Sequence, residues 1–243
     1  MIGLSKQKQK YIQSLHNKKY RNQYGVFLVE GQKSIHELLN SDFEIDEAFL
    51  TAEASESLGL KLNVTICKAD EISKVSSFRS NSFGVLVVKM KENIPPDLNV
   101  KGWILVLDQI NDPGNLGTII RTADWYGVKH IVCSENTVEF YNPKVISSTM
   151  GSFSRITPYY ADISSFLEQC SLPVYGAYLN GENVHRHQFP ESGVLVIGSE
   201  SHGIDRQLES LITRKITIPS FGKAESLNAG VATAILLDNI SRG

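Results

Sequence analysis

From Trp103 onward the chain repeatedly runs a short apolar stretch into a glycine- or proline-bearing loop and then into a helical pattern. That alternation leaves few folds open. WILVLD (103–108), HIVCS (130–134), ITPYY (156–160), PVYGAY (173–178), GVLVIG (193–198) and KITIP (215–219) read as strands. Most are apolar throughout rather than at every second residue, the pattern of strands buried on both faces. Helices are expected over roughly 115–126, from Asn142-Pro143 (an N-cap and an N1 proline) to about Ser148, after Asp162, and over about 226–241. The last carries Leu227, Val231, Ala234 and Ile235 on one face. Strands alternating with helices predict an α/β domain with a mainly parallel sheet covered on both sides.

The residues upstream form a smaller α/β pattern. VFLVEG (26–31), DEAFLT (46–51), NVTICK (63–68) and FGVLVVK (83–89) are strand candidates, with a helix over QKSIHELLNS after the first. KENIPPDLNV (91–100) has two adjacent prolines and polar flanks, poor in helix and strand signals. The expected organisation is therefore an N-terminal domain over 1–92, a linker over 93–101 and a C-terminal domain over 102–243. No internal repeat or low-complexity tract is found.

Composition matters here for what it excludes. With 243 residues, 42% hydrophobic, the chain can bury a core without disulfide or metal support. Its three cysteines, Cys67, Cys133 and Cys170, are far apart and form no C-x-x-C pair, so neither a disulfide framework nor a metal site is expected. There is no secretory h-region at the N-terminus, and no apolar run approaches the ~18–20 residues of a membrane span. A cytoplasmic location without membrane attachment is the default expectation. Net charge is only −2, yet Lys6, Lys8, Lys10, Lys18, Lys19 and Arg21 all precede the first acidic residue, Glu30. Such a segment reads either as an electrostatic footprint for nucleic acid or as a solvated amphipathic helix.

The chemistry is expected where three glycine-bearing loops follow strand ends: NDPGNLGTIIR (111–121), IGSESHGID (197–205) and IPSFGKAESLN (218–228). Ligands of open parallel sheets bind at the carboxyl ends of strands. None of the loops carries a phosphate-loop pattern or a complete G-x-G-x-x-G. Ser199, Ser201, His202 and Asp205 suggest a serine hydrolase, but Glu200 stands at the centre of the would-be elbow, and neighbours in sequence do not make a triad.

Together the three loops resemble the signature motifs of the SpoU (TrmH-type) RNA 2′-O-ribose methyltransferases of the SPOUT superfamily. The first motif matches Asn111, Pro113, Gly114, Asn115, Gly117 and Arg121. The second matches the apolar strand ending in Gly198, then Glu200 and Gly203. The third matches Ile218-Pro219, Gly222 and Glu225-Ser226-Leu227-Asn228. Departures are Ser199 where asparagine is usual, Ser220 where methionine is common, and Ala229-Gly230 where Val-Ser is typical.

The resemblance implies a C-terminal SPOUT domain with a deep trefoil knot, a small N-terminal RNA-binding domain, and a homodimer. It implies S-adenosylmethionine held by Gly198, Ile218 and Leu227, the glycine letting backbone approach the ligand, and no metal. Arg121 would activate the ribose hydroxyl and anchor phosphate, and Asn115 and Asn228 would orient the ribose. Ser226 would bind near the transferring methyl group or the attacking oxygen. Glu200 would act in catalysis, pair with Arg121 or cap the following helix. The basic residues Lys6, Lys8, Lys10, Lys18, Lys19 and Arg21 would hold RNA, and the accessory domain favours ribosomal RNA over transfer RNA as the substrate. Two alternatives stay open at this point: a non-catalytic RNA-binding protein of the same fold, and a base methyltransferase.

Overall fold

The computed structural model describes residues 3–59, 64–78, 80–98 and 101–242. Asn63, assigned above to a strand, and residues 99 and 100 of the expected linker lie outside them. The chain divides into two compact units, one of residues 1–92 with 139–154, the other of 93–138 with 155–243.

The first unit opens with α1 (Lys6–Ser14) and α2 (Lys18–Tyr24), capped by the side chains of Ser5 and Asn17. Gly25 ends α2 in the left-handed conformation, φ 65°, a geometry that costs glycine little. Then follow β1 (Val26–Glu30), α3 (Gln32–Leu39), β2 (Ile45–Leu50), α4 (Ala52–Leu58), β3 (Val64–Ile66), α5 (Ala69–Val75) and β4 (Gly84–Lys89). The strands form a mixed sheet in the order β1-β4-β2-β3, antiparallel except for β2 with β3.

Every residue of β1 is buried, so both faces of that strand must be covered. Val26 and Leu28 pack with Ile12, Leu15, Ile72 and Val75 of the helices. Phe27 points the other way, and its ring meets Tyr141 at 4.6 Å and Phe153 at 6.1 Å. Both belong to residues 139–154, the stretch containing α7 (Pro143–Ser148). A contiguous unit ending at 92 therefore does not describe the packing. The apolar face around Phe27 draws in a segment from the second half of the chain.

The second unit contains β5 (Trp103–Leu107), α6 (Pro113–Trp125), β6 (His130–Cys133), β7 (Thr157–Tyr160), α8 (Ile163–Glu168), β8 (Val174–Asn183), β9 (Gly193–Ile197), β10 (Arg214–Thr217) and α9 (Ala229–Arg242). Its six strands lie in the order β10-β8-β9-β5-β6-β7, and every pair is parallel, as the continuous apolar runs required. One face buries Ile104, Val106, Val194 and Val196 with Phe166 and Leu167 of α8. Ile119, Ile120, Leu236 and Leu237, on the packed pair α6 and α9, are also buried.

Residues 91–98 contain no helix or strand. Asn93 exchanges both ends of its side-chain amide with the backbone of Tyr160 (2.9 and 2.8 Å).

Candidate active site

Because β5 and β9 are adjacent and parallel, their carboxyl ends bring the first two glycine-bearing loops side by side. Asp108, just past β5, is 4% exposed and accepts a hydrogen bond from the backbone N–H of Asp205 at 2.8 Å, joining loop one to loop two. Burial pushes its carboxyl above the usual carboxylate range, against that hydrogen bond. Gln109 follows with φ 57°, a strained conformation for a non-glycine residue. Two hydroxyls hold this turn: Ser134 accepts from Gln109 N–H (2.9 Å) and Thr137 from Ile110 N–H (3.3 Å). Motif reading gave no role to Asp108, Gln109, Ser134 or Thr137, and only the place of Asp108 at a strand end hinted at one of these four.

Asp112 caps α6 through Asn115 N–H at 2.8 Å, with Pro113 in the first turn, so the start of this helix is written locally. The cap sets Asn115 within reach of the other two loops. Its side-chain N–H donates to Glu200 Oε1 at 2.7 Å, and its oxygen accepts from Asn228 at 2.8 Å. Asn228 donates to the same Glu200 oxygen at 2.9 Å, as does the backbone N–H of Ala229 at 3.1 Å. One carboxylate oxygen thus gathers a residue from each motif and one free N–H at the start of α9. The oxygen of Asn228 accepts from Gly230 and Val231 N–H (2.9 and 3.2 Å), completing the helix start.

Glu200 does not cap the turn that follows it, which Asp205 caps; its carboxylate instead meets the start of α9. No ion pair with Arg121 exists among the described residues. Arg121 is exposed on α6 and has no hydrogen-bond or ion-pair partner among the described residues. At 100° per residue it falls in line with Gly114, Thr118 and Trp125, beside the stripe that carries Asn115.

Gly198, Ile218, Ser226 and Leu227 all line one cleft of about 760 Å³. Its walls also include residues 177–180 beyond the first part of β8, Glu200, Glu225 and Leu236. The space a side chain would take at Gly198 is filled by the chain itself: a Cβ there would meet the Gly203 carbonyl carbon at 2.1 Å and Ile204 N at 2.2 Å. The fold of the loop by itself requires glycine at this position. The loop folds back on itself, with Ser199 and Gly203 exchanging backbone hydrogen bonds at 3.1 and 2.8 Å.

Tyr178 lines the same cleft with its hydroxyl buried and lacking a hydrogen-bond partner. The ammonium of Lys215 lies 4.9 Å from its ring. Lys215 also bonds Glu209, which holds the Glu209 carboxyl below its usual range and the lysine above its own. The hydrolase constellation is not assembled. Ser201 and His202 are 2.8 Å apart, but the Asp205 side chain caps the following turn through Gln207 N–H.

The basic N-terminal residues divide. Lys6, Lys10, Lys18 and Lys19 are exposed. Lys8 pairs with Glu47 at 2.5 Å. Arg21 is 1% exposed, and its guanidinium bonds Glu139 and the Leu15 carbonyl. Arg21 is thus a buried structural cation, not part of an RNA-binding surface. An unpaired charge cannot be kept in that interior, so burial and the Glu139 partner come together.

An all-parallel sheet with a cleft at its strand ends, closed by a C-terminal loop and helix, defines an α/β ligand-binding domain. The chain belongs to the SpoU rRNA Methylase family, whose profile matches residues 102–238. An MRM3-like substrate binding domain matches residues 6–86. The chain is 32% identical to the 23S rRNA (guanosine(2553)-2′-O)-methyltransferase RlmP of Bacillus subtilis, over 95% of this chain and 94% of that one. Among solved structures it is similar to a TrmH-family protein from Porphyromonas gingivalis (32% identity, TM-score 0.89, 98% of each chain). It is similar too to the AdoMet-bound rRNA methyltransferase of Sinorhizobium meliloti (26% identity, TM-score 0.88, covering 100% of this chain and 97% of that one).

Proposed function

We propose that this protein transfers a methyl group from S-adenosylmethionine to a ribose 2′-hydroxyl of ribosomal RNA. The observation that carries the reading is the meeting of Asn115, Glu200 and Asn228, one from each motif, beside the cleft that Gly198, Ile218 and Leu227 line. The cleft fits the cofactor. Its size falls within the ~300–1,000 Å³ of small-molecule sites. Ile218 and Leu227 offer apolar walls, and Glu200 and Glu225 offer carboxylates to a sulfonium cation. Bound there, the cofactor supplies an electrophilic methyl group.

The chain's own residues position and activate the acceptor. A ribose hydroxyl is a weak nucleophile near neutral pH, so charge developing on its oxygen must be stabilised and the oxygen held in line. Arg121 suits that task. Its guanidinium stays charged, with five fixed donors, and no ion-pair partner among the described residues competes for them. It acts as an electrostatic activator and phosphate anchor. Asn115 and Asn228 hold the ribose and the loops in register, and Ser226, which lines the cleft, serves the transferring methyl group or the attacking oxygen.

Family membership implies a chain threaded into a trefoil knot and a homodimer in the cytoplasm. The exposed lysines of the first unit would hold RNA.

The test is transfer of labelled methyl from S-adenosylmethionine to ribosomal and transfer RNA from cells lacking this protein, followed by nucleoside analysis. A 2′-O-methyl nucleoside in ribosomal RNA is the expected product; a methylated base would overturn the ribose assignment. Arg121→Ala should lower turnover at least ~100-fold, the scale of losing one transition-state donor, while cofactor binding persists in calorimetry. Loss of both together would contradict the role given to Arg121.

A further inference from the structure

We propose that Tyr20 and Tyr24 of α2 form a stacking platform for unpaired nucleobases, a binding site in the first unit separate from the methyl-transfer cleft. The proposal rests on RNA being the substrate. The two tyrosines stand one helical turn apart, 37% and 48% exposed. Their rings are nearly parallel, 16° between planes, with centroids 6.5 Å apart. Tyr11 braces Tyr24 edge-on at 5.3 Å and 75°. Core packing does not require these rings, because Phe27, Phe43 and Phe153 supply the unit's buried aromatic cluster.

The charge around the platform suits a polyanion. Lys19 Nζ lies 5.9 Å from the Tyr20 ring and Lys8 Nζ 5.1 Å from that of Tyr11. Lys8 is neutralised by Glu47. Lys19, beside the Tyr20 ring, has no ion-pair partner among the described residues, and neither do the exposed Lys6, Lys10 and Lys18 of the same two helices. Burial and the nearby carboxylates Glu47 and Asp46 push the Tyr11 hydroxyl up to about 12, so the acidic side of the patch lies at Tyr11 and Lys8. Aromatic faces among free cations recognise single-stranded nucleic acid, because every base has a π-face to stack and every linkage a charge. Bases inside a duplex already stack on each other and offer no free face, so the platform selects unpaired RNA.

The test uses the full chain, a short fluorescently labelled single-stranded RNA, and the same RNA annealed to its complement. Replacing both tyrosines by alanine should weaken single-strand binding about tenfold or more. The slope of affinity against salt should stay unchanged, since no charge is removed. Replacement of both by phenylalanine keeps the faces and should stay within about threefold of the wild type. Tyr24→Trp should add a fluorescence signal that single-stranded RNA quenches and the duplex does not. This variant also serves if the alanine pair folds poorly.

The platform is overturned if the phenylalanine pair loses as much as the alanine pair, or if single-strand and duplex binding fall alike. It is equally overturned if the alanine pair changes the oligomeric mass by light scattering, which would make the patch a subunit contact. A wild-type protein that binds and methylates RNA while the alanine pair binds equally well refutes the platform alone. Failure of the wild type to bind any RNA refutes the substrate reading beneath it.

Discussion

A single oxygen of Glu200 accepts from Asn115, Asn228 and the Ala229 backbone. Glu200→Ala removes the acceptor from three donors at once and should lower stability by roughly 1–3 kcal/mol, the lower end applying because the site is partly solvated. Glu200→Gln keeps an acceptor oxygen and should lose less than half as much by urea denaturation. If the two variants bind S-adenosylmethionine equally poorly while Gln restores stability, the charge itself serves the cofactor.

Asp108 allows a test against pH. Its folded-state pKa is raised by burial, so its contribution is most favourable when protonated and is lost as pH rises through the folded value. Asp108→Asn keeps an acceptor for Asp205 N–H without the buried charge. The stability difference should therefore shift in favour of the variant as pH rises above the ordinary carboxylate range, read from denaturation midpoints. A difference that is flat with pH would mean that Asp108 is not desolvated. Both residues lie near motif glycines, but the hydrogen bonds that give them meaning span 85 and 97 positions of the chain.

At the scale of elements, local signals placed most of the second unit. Asp162 begins α8 where pattern suggested, Asn142-Pro143 does the same for α7 of the first unit, and Asp112-Pro113 begins α6 two residues before the expected start. Continuous apolar runs became parallel strands. What pattern did not show was a second constraint on Gly198. The strand-end loop doubles back so closely that residues 203 and 204 fill the space of its missing side chain. Gly198→Ala should therefore unseat the Ser199–Gly203 backbone pair and abolish cofactor binding in calorimetry. Near-wild-type affinity in that variant would mean the loop can shift without cost. The catalytic assignment of Arg121 came from motif resemblance, and its helical position was legible because α6 has a well-marked start.

At the scale of the whole molecule, charge distribution matters more than net charge. Replacing Lys6, Lys10, Lys18 and Lys19 with alanine should weaken RNA binding and flatten its salt dependence. On single strands the log–log slope should fall by about 0.7 for each phosphate that is no longer neutralised. Arg21 and Lys8 should be left out, since their charges are already matched. An unchanged slope would make the lysines a solvated face only.

Period, caps and turn residues act over a few positions, so the α/β class, most element positions and the three motif loops could be read along the chain. Packing acts between residues distant in sequence, and there the reading failed in specific places. Arg21 looked like one cation among six, until burial beside Glu139 removed it from the surface. Residues 139–154 looked like part of the second half, yet the two-sided burial of β1 draws Tyr141 and Phe153 against Phe27. The strained turn at Gln109 and the orphaned hydroxyl of Tyr178 have no local signature either. A buried charge or strained backbone is tolerated only when distant parts of the chain supply its partners, and no short window of sequence contains them.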